Sequence, residues 1–301
     1  MRLFLTGILV LAVNYSLLAQ EKNNIQEWYK KMHIGGYIQV RYNGLFETNP
    51  NLNCEQCDEN WGEDGGGLSF RRVRFKIKGQ ISPRVFFYFQ PDFAKSIGEA
   101  HHVGRLKDAY IDFGLDKKNE FRLRIGQSKV PFGFENMQSS SNRLPLDRND
   151  ALNSAVKDER DLGVFFYWAT EEKRALIKKL RKAGLSGGDF GLFALGFYNG
   201  QTANHYDENN EFHVVTRFSF PIEIGSQVIE SGIQAYSGRY VITEHSPNIE
   251  VNTKGYIDQR TALSFVLYPK PFGIQAEYNF GRGPEFDKTS NTIQVTPLQG
   301  G

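Results

Sequence analysis

The sequence predicts an all-β protein, a transmembrane antiparallel β-barrel, and three observations carry that prediction. The first is the stretch from Phe70 to Gly79, Phe-Arg-Arg-Val-Arg-Phe-Lys-Ile-Lys-Gly. Successive side chains of a strand point to opposite faces. Val73, Phe75 and Ile77 therefore share one face, and Arg72, Arg74, Lys76 and Lys78 the other. The second is an N-terminus of export type. The third is rhythm: about eleven alternating segments joined by connections that run long, short, long, short, as in barrels with short periplasmic turns and longer external loops. Behind an export leader, such strands fit lipid on the apolar face and a water-filled pore on the basic one. A soluble sheet with a solvated basic face is the alternative.

Residues 1–19 read as a signal peptide. Arg2 supplies the positive start, residues 3–18 the apolar core, and Ala19 a small residue for cleavage; an ordinary buried helix is the competing reading. Past this point no apolar run reaches the roughly 20 residues of a membrane-spanning helix. The 301 residues are 40% hydrophobic and 14% aromatic, with a mean hydropathy of −0.46. Barrel strands need apolar residues only at alternate positions, so a polar average is compatible with a membrane protein. There are 36 Lys and Arg against 34 Asp and Glu, and losing Arg2 brings them nearly into balance. Net charge therefore names no partner, nucleic acid included, and any selectivity must come from where the charges sit.

Taken in order, residues 20–32 form an N-terminal periplasmic segment, loose or briefly helical, and residues 33–301 the barrel. The first strand, 34–45, sets Ile38, Val40 and Tyr42 against Gln39, Arg41 and Asn43. A polar loop, 46–67, carries Cys54-Glu-Gln-Cys57. In an exported chain this pair reads first as a disulfide staple, with free thiols or metal and redox chemistry as alternatives. The basic strand follows, with Arg71 pointing with the apolar set and snorkelling at an interface. Ser82-Pro83 makes a turn into a strand marked by Val85, Phe87 and Phe89. Residues 94–104 read as a loop whose His101 and His102 are loop residues rather than metal ligands.

The fourth strand turns Asp108, Tyr110 and Asp112 inward, where the two carboxylates pair with neighbouring cations or tune an anion site. The fifth turns Arg122 and Arg124 inward. Residues 127–160 are the longest irregular stretch, and further strands follow near 161–169, 189–199, 212–220, 228–238, 257–268 and 272–281. Residues 171–188 break the rhythm by placing a basic, helix-like insertion in a short-turn slot, either a solvated helix or a contact site. The odd strand count and the ending at Gly301 suggest an incomplete barrel truncated at its C-terminal end.

Several stretches together resemble the phosphate-selective porins of the porin O/P type. They are Gly36-Tyr37-Ile38-Gln39-Val40-Arg41, Arg71-Arg72-Val73-Arg74, Gln90-Pro91-Asp92-Phe93-Ala94 and Asp108-Ala109-Tyr110-Ile111-Asp112. Arg124-Ile125-Gly126-Gln127 continuing to Phe134-Glu135, Arg160-Asp161-Leu162-Gly163-Val164, Tyr198-Asn199-Gly200 and Tyr268-Pro269-Lys270-Pro271-Phe272-Gly273 complete the series. The resemblance implies a sixteen-stranded barrel in the bacterial outer membrane, usually a homotrimer, whose third external loop folds into the lumen. It implies passive passage of small anionic solutes such as phosphate, with no cofactor, metal or catalytic residue. Carried onto this sequence, Arg72, Arg74, Lys76, Lys78, Arg122 and Arg124 suit the anion pathway. Ser139, Ser140, Ser141, Arg143 and Arg148 suit the constriction loop. That loop also holds Glu135, Asp147, Asp150, Asp158 and Glu159, carboxylates able to pair with its arginines, so a general or oligosaccharide pore is the runner-up.

Two other classes compete. A barrel hydrolase needs a Ser/His/acid set, for which His213 and Ser219 are the strand-borne candidates. A secreted glycan-binding β-sandwich needs a buried core between two sheets.

Overall fold

The computed structural model describes residues 28–44, 66–97, 100–145, 147–243, 245 and 249–301. The leader read at residues 1–19, most of the 20–32 segment, and Cys54 and Cys57 lie outside the described residues.

Twelve strands run in order among the described residues: β1 (Met32–Gly44), β2 (Gly66–Ser82), β3 (Val85–Ile97), β4 (Ala100–Gly114), β5 (Phe121–Lys129), β6 (Arg160–Trp168), β7 (Phe193–Tyr198), β8 (His213–Ile224), β9 (Gln227–Tyr240), β10 (Tyr256–Leu267), β11 (Ile274–Asp287) and β12 (Thr292–Gly300). They form one antiparallel sheet in which each strand pairs with its neighbours in sequence, leaving β1 and β12 as the edges. Short turns impose this order, since an antiparallel partner is reached by a tight hairpin. At the β8–β9 turn Gly225 takes a φ of 61°, a conformation that costs a glycine little.

The faces are inverted relative to a soluble sheet. Along β8, Val214, Phe218, Phe220 and Ile222 are exposed, while His213, Arg217 and Ser219 between them are buried. Ile38, Val40 and Tyr42 on β1, Leu263 and Phe265 on β10, and Tyr278 and Phe280 on β11 repeat the outward apolar set. Water would penalise an apolar belt of that extent, and hydrocarbon does not. No helix among the described residues is long and apolar enough to cross a membrane; strands are the crossing elements. Phe218→Arg, near the middle of β8, is therefore expected to cost about 2–4 kcal/mol of folded stability in bilayers. Urea titration in vesicles reads this directly, and an unchanged midpoint would place Phe218 away from lipid.

The interior is filled unevenly. Between β5 and β6 the chain passes through two short helices, α1 (Phe134–Met137) and α2 (Asp150–Asn153). From this segment Val130, Phe132, Met137 and Ala155 pack with inward residues of the wall, Phe165, Tyr167, Tyr198, Val215, Tyr236 and Ala262. The β6–β7 insertion forms helix α3 (Glu171–Lys182), capped by Thr170, whose side chain accepts from the Lys173 amide. Acidic Glu171 and Glu172 open it and Lys179, Arg181 and Lys182 close it, the order its dipole favours. Its Leu176 and Leu180 join Phe134, Val228, Val266 and Tyr268 in a second buried cluster. The helix is thus basic on one side and docked by an apolar stripe on the other.

Three features differ from the sequence reading. The strands number twelve among the described residues, not about eleven, because 282–287 extends β11 and 292–300 forms β12. Pro284 and Pro297 obscured that pattern; Pro297 lies on the edge strand and Pro284 beyond the last β10 partner, where a missing amide hydrogen is tolerated. The loop expected at 94–104 is largely strand, with repeated register shifts between β3 and β4 that break the alternation. Arg71 does not snorkel with the apolar set. It sits at a register shift opposite Gln39 and Val40, which turns it toward an inward carboxylate, Asp147, at 2.9 Å.

Candidate functional site

The inward face of β2 is where the fold concentrates charge. Arg72 is 4% exposed, donates to the side-chain oxygen of Gln39, and has Arg71, Arg74 and Arg143 as repelling neighbours. Arg74 pairs with Asp92 at 2.6 Å and also donates to Tyr37 Oη at 3.1 Å and Ser140 Oγ at 2.8 Å. Lys76 and Lys78 make no ion pair with any described residue. Arg122 and Arg124, on β5, are differently placed. Arg122 pairs with Asp189 at 2.6 Å. Arg124 grips both oxygens of Asp112 at 2.6 and 2.9 Å and lies 3.8 Å from the Tyr110 ring centroid. The six cations taken together from the sequence thus separate into three held by carboxylates and three, Arg72, Lys76 and Lys78, without a carboxylate partner among the described residues. The spacing of residues in twos places all six inward but carries no information on which carboxylates face them.

The β5–β6 segment crosses the interior from one sheet edge to the other. On one side Ser140 bonds Tyr37 and Arg74, and Asp147 bridges Arg41 at 2.8 Å and Arg71 at 2.9 Å. On the other, the Glu135 amide donates to Glu277 at 2.8 Å and Arg260 donates to Ser154 at 2.7 Å. Ser139 and Ser141 bond each other at 2.9 Å, Arg143 stands beside Arg72, and Arg148 is taken by Glu159. Of the carboxylates read in this stretch, Asp147 and Glu159 hold arginines. Helix α3 docks from the opposite side, and a Cβ at Gly187, just beyond it, would strike the backbone of Met137 and Gln138. Arg174 of α3 shares Asp189 with Arg122.

Electrostatics keeps these tethers ionised. Burial pushes the Asp147 carboxyl up, but the hydrogen bonds and charges of Arg41 and Arg71 outweigh it and hold it well below the usual range. Glu159 is held low against burial by Arg148, Lys129 and Arg160. Asp189 is lowered against burial by Arg122 and Arg174. A depressed carboxyl contributes stability that is present above its unfolded pKa, 3.8 for Asp, and lost as pH falls through the lower folded value. Acidification from neutrality to about pH 4 is therefore expected to leave the segment in place. Stronger acid releases it, read as new protease cleavage within 130–159; cleavage already rising at mildly acidic pH would contradict these tethers.

The remaining candidates separate cleanly. His102 is exposed and meets Phe70 edge-on at 5.4 Å, and no cluster of metal-ligating residues occurs among the described residues. Asp108 and Asp112 pair with Arg160 and Arg124. Ser219 donates to Glu230 and lies six residues from His213 along β8, roughly 20 Å away, so the two do not form a nucleophile–base pair. What sequence reasoning did not single out is the inward apolar set, Phe165, Tyr167 and Val215, because aromatic and branched residues on a barrel strand read as lipid-facing.

Comparison with curated protein sequences finds no match. Among solved structures the chain is similar to OmpT, an in-vitro folded outer membrane protein of Vibrio cholerae in trimer form, at 11% identity over 89% of this chain and 95% of that one, with a TM-score of 0.26. A family model described as phosphate-selective porin O and P matches residues 53–300. That span takes in every strand but β1, together with the crossing segment and helix α3, and the chain belongs to the phosphate-selective porin O and P family.

Proposed function

We propose that this outer-membrane porin is an anion channel whose permeant ions follow the β2 side of the lumen, past Arg72, Lys76 and Lys78. The observation that carries the reading is the division among the inward cations. Arg74, Arg122 and Arg124 are held by carboxylates, whereas the other three have none among the described residues. A hydrated oxyanion that enters a narrow lumen loses water, and fixed guanidinium and ammonium groups replace it. A row of moderate sites also lets the ion leave again. The crossing segment, with Ser139, Ser140, Ser141, Arg143 and Arg148, supplies the constriction, and multiply charged oxyanions such as phosphate are the class this row fits best.

The test is planar-bilayer recording of the full-length protein. A reversal potential displaced toward the anion in a chloride gradient, together with a lower chloride current when phosphate is added, is the expected result. A reversal potential near zero would instead support the general-diffusion reading.

A further inference from the structure

Helix α3 runs from the barrel wall to the crossing segment. At its start the Glu171 amide donates to the Glu120 side chain at 3.0 Å and Arg174 donates to the Asn119 carbonyl at 2.7 Å, which ties the helix to the β4–β5 turn. Lys173 donates to the Pro221 carbonyl at 2.9 Å and Lys179 lies 3.3 Å from Glu223, which ties it to β8. Just past its last turn, a Cβ at Gly184 would rest 3.8 Å from Asn142. Asn142 follows closely on Ser140, which bonds Tyr37 of β1 and Arg74 of β2. Twelve helical residues span about 18 Å, so α3 is held at both ends across the short-turn side of the lumen.

The helix presents a basic flank to the part of the lumen that β2 lines. Leu176, Ile177 and Leu180 form its buried stripe. At 100° per residue, Arg174 and Arg181 lie about two turns apart on one flank of that stripe, and Lys179 lies on the other. Arg174 is held by Asp189 at 3.1 Å, and the same carboxylate takes Arg122 at 2.6 Å. Arg181 also lies in the field of Asp189, but that carboxylate is already shared by two arginines. Arg181 is exposed and forms no ion pair with any described residue. Across from it on β2, Lys78 has Arg181 and Lys76 as its repelling neighbours.

Two separate elements therefore bring unneutralised cations together where the β2 row ends. Like charges so placed repel unless a counter-ion comes between them, and a water-filled cleft lined by one sign of charge concentrates the opposite ion. The guanidinium supplies a planar fork for paired oxygens, and the two ammonium groups supply point charges beside it. We propose that α3 is a pore-lining element, and that Arg181 with Lys76 and Lys78 forms an oxyanion site at the short-turn exit of the channel. The site rests on the anion-channel reading above and gives the 171–182 insertion a role in it.

The test separates the position of Arg181 from the selectivity of the channel. Full-length protein carrying Cys54→Ser and Cys57→Ser, with Arg181→Cys added, is treated with an anionic methanethiosulfonate during planar-bilayer recording. The current should fall on modification, and should change little for Lys179→Cys, on the opposite flank. In Arg181→Ala, inhibition of the chloride current by inorganic phosphate should weaken about three- to tenfold. Heat-modifiable gel mobility reports that each variant is folded, and mass spectrometry that each cysteine has reacted. Three results overturn the site: an unchanged current after Arg181→Cys has reacted, an equal fall for Lys179→Cys, or undiminished phosphate inhibition in Arg181→Ala. A reversal potential near zero in the unaltered protein overturns both the site and the reading it rests on, whereas an anion-selective channel with any of those three results loses the site alone.

Discussion

Replacing Arg72, Lys76 and Lys78 together by Glu is expected to reverse the channel's ion preference, moving the reversal potential in a chloride gradient from the anion side to the cation side. Two unit charges about 7 Å apart, roughly the spacing of same-face neighbours on a strand, interact by about 0.6 kcal/mol in bulk water and by more where the effective dielectric falls. Three sign changes on one strand therefore invert the local potential felt by a passing ion. Assembly should survive, because lumen residues tune selectivity whereas charges on the lipid face chiefly cost stability. The informative control is the paired replacement Arg124→Gln with Asp112→Asn, which removes a mutually balanced cation and carboxylate and whose effect on the reversal potential should be small. If the triple variant inserts normally and its reversal potential is unchanged, the β2 row does not select the permeant ion.

The second large effect falls on stability. Arg124 is 6% exposed, lies over Tyr110, and is held bidentately by Asp112, itself 8% exposed. Removing one member of a buried pair strands the other without solvent or partner, typically at a cost of about 3–5 kcal/mol. Arg124→Ala and Asp112→Ala should each lower the urea midpoint of vesicle-embedded protein by an amount of that order. The apolar double replacement Arg124→Met with Asp112→Leu should recover much of the loss, since a well-packed hydrophobic pair is often neutral relative to a buried ion pair. Equal destabilisation by the single and double variants would mean that the packing of Arg124 on Tyr110, rather than its charge pairing, is what matters there.

The fold was legible wherever alternation ran unbroken. On β2 beyond Arg71 and on β5 the period of two told inside from outside, and the inward cations followed from it. It failed where the period itself was interrupted. The register shift at Arg71, the irregular β3–β4 pairing and the prolines of β11 and β12 each break the count of two. The site was legible only in part, for a different reason. An inward arginine is visible in one strand, but the carboxylate that neutralises it comes from elsewhere: Asp92 from β3, Asp112 from β4, and Asp189 from the connection after α3.

By itself, then, the sequence determined the class of structure, an antiparallel membrane barrel with a basic inner face, because strand periodicity and turn spacing are local properties of the chain. It also determined that the insertion at 171–182 is a helix, since its cap, charge order and apolar stripe all lie within a dozen residues. Only the tertiary structure decided how the lumen is filled. The crossing segment meets β1–β2 through Asp147 and Ser140 and β10–β11 through Ser154 and Glu135, joining residues more than a hundred positions apart. The same long-range packing buries Phe165 and Val215 inside and, among the described residues, leaves Arg72, Lys76 and Lys78 without carboxylates while their neighbours are paired. Charge neutralisation depends on distances of a few ångströms between remote segments, and no local pattern encodes those.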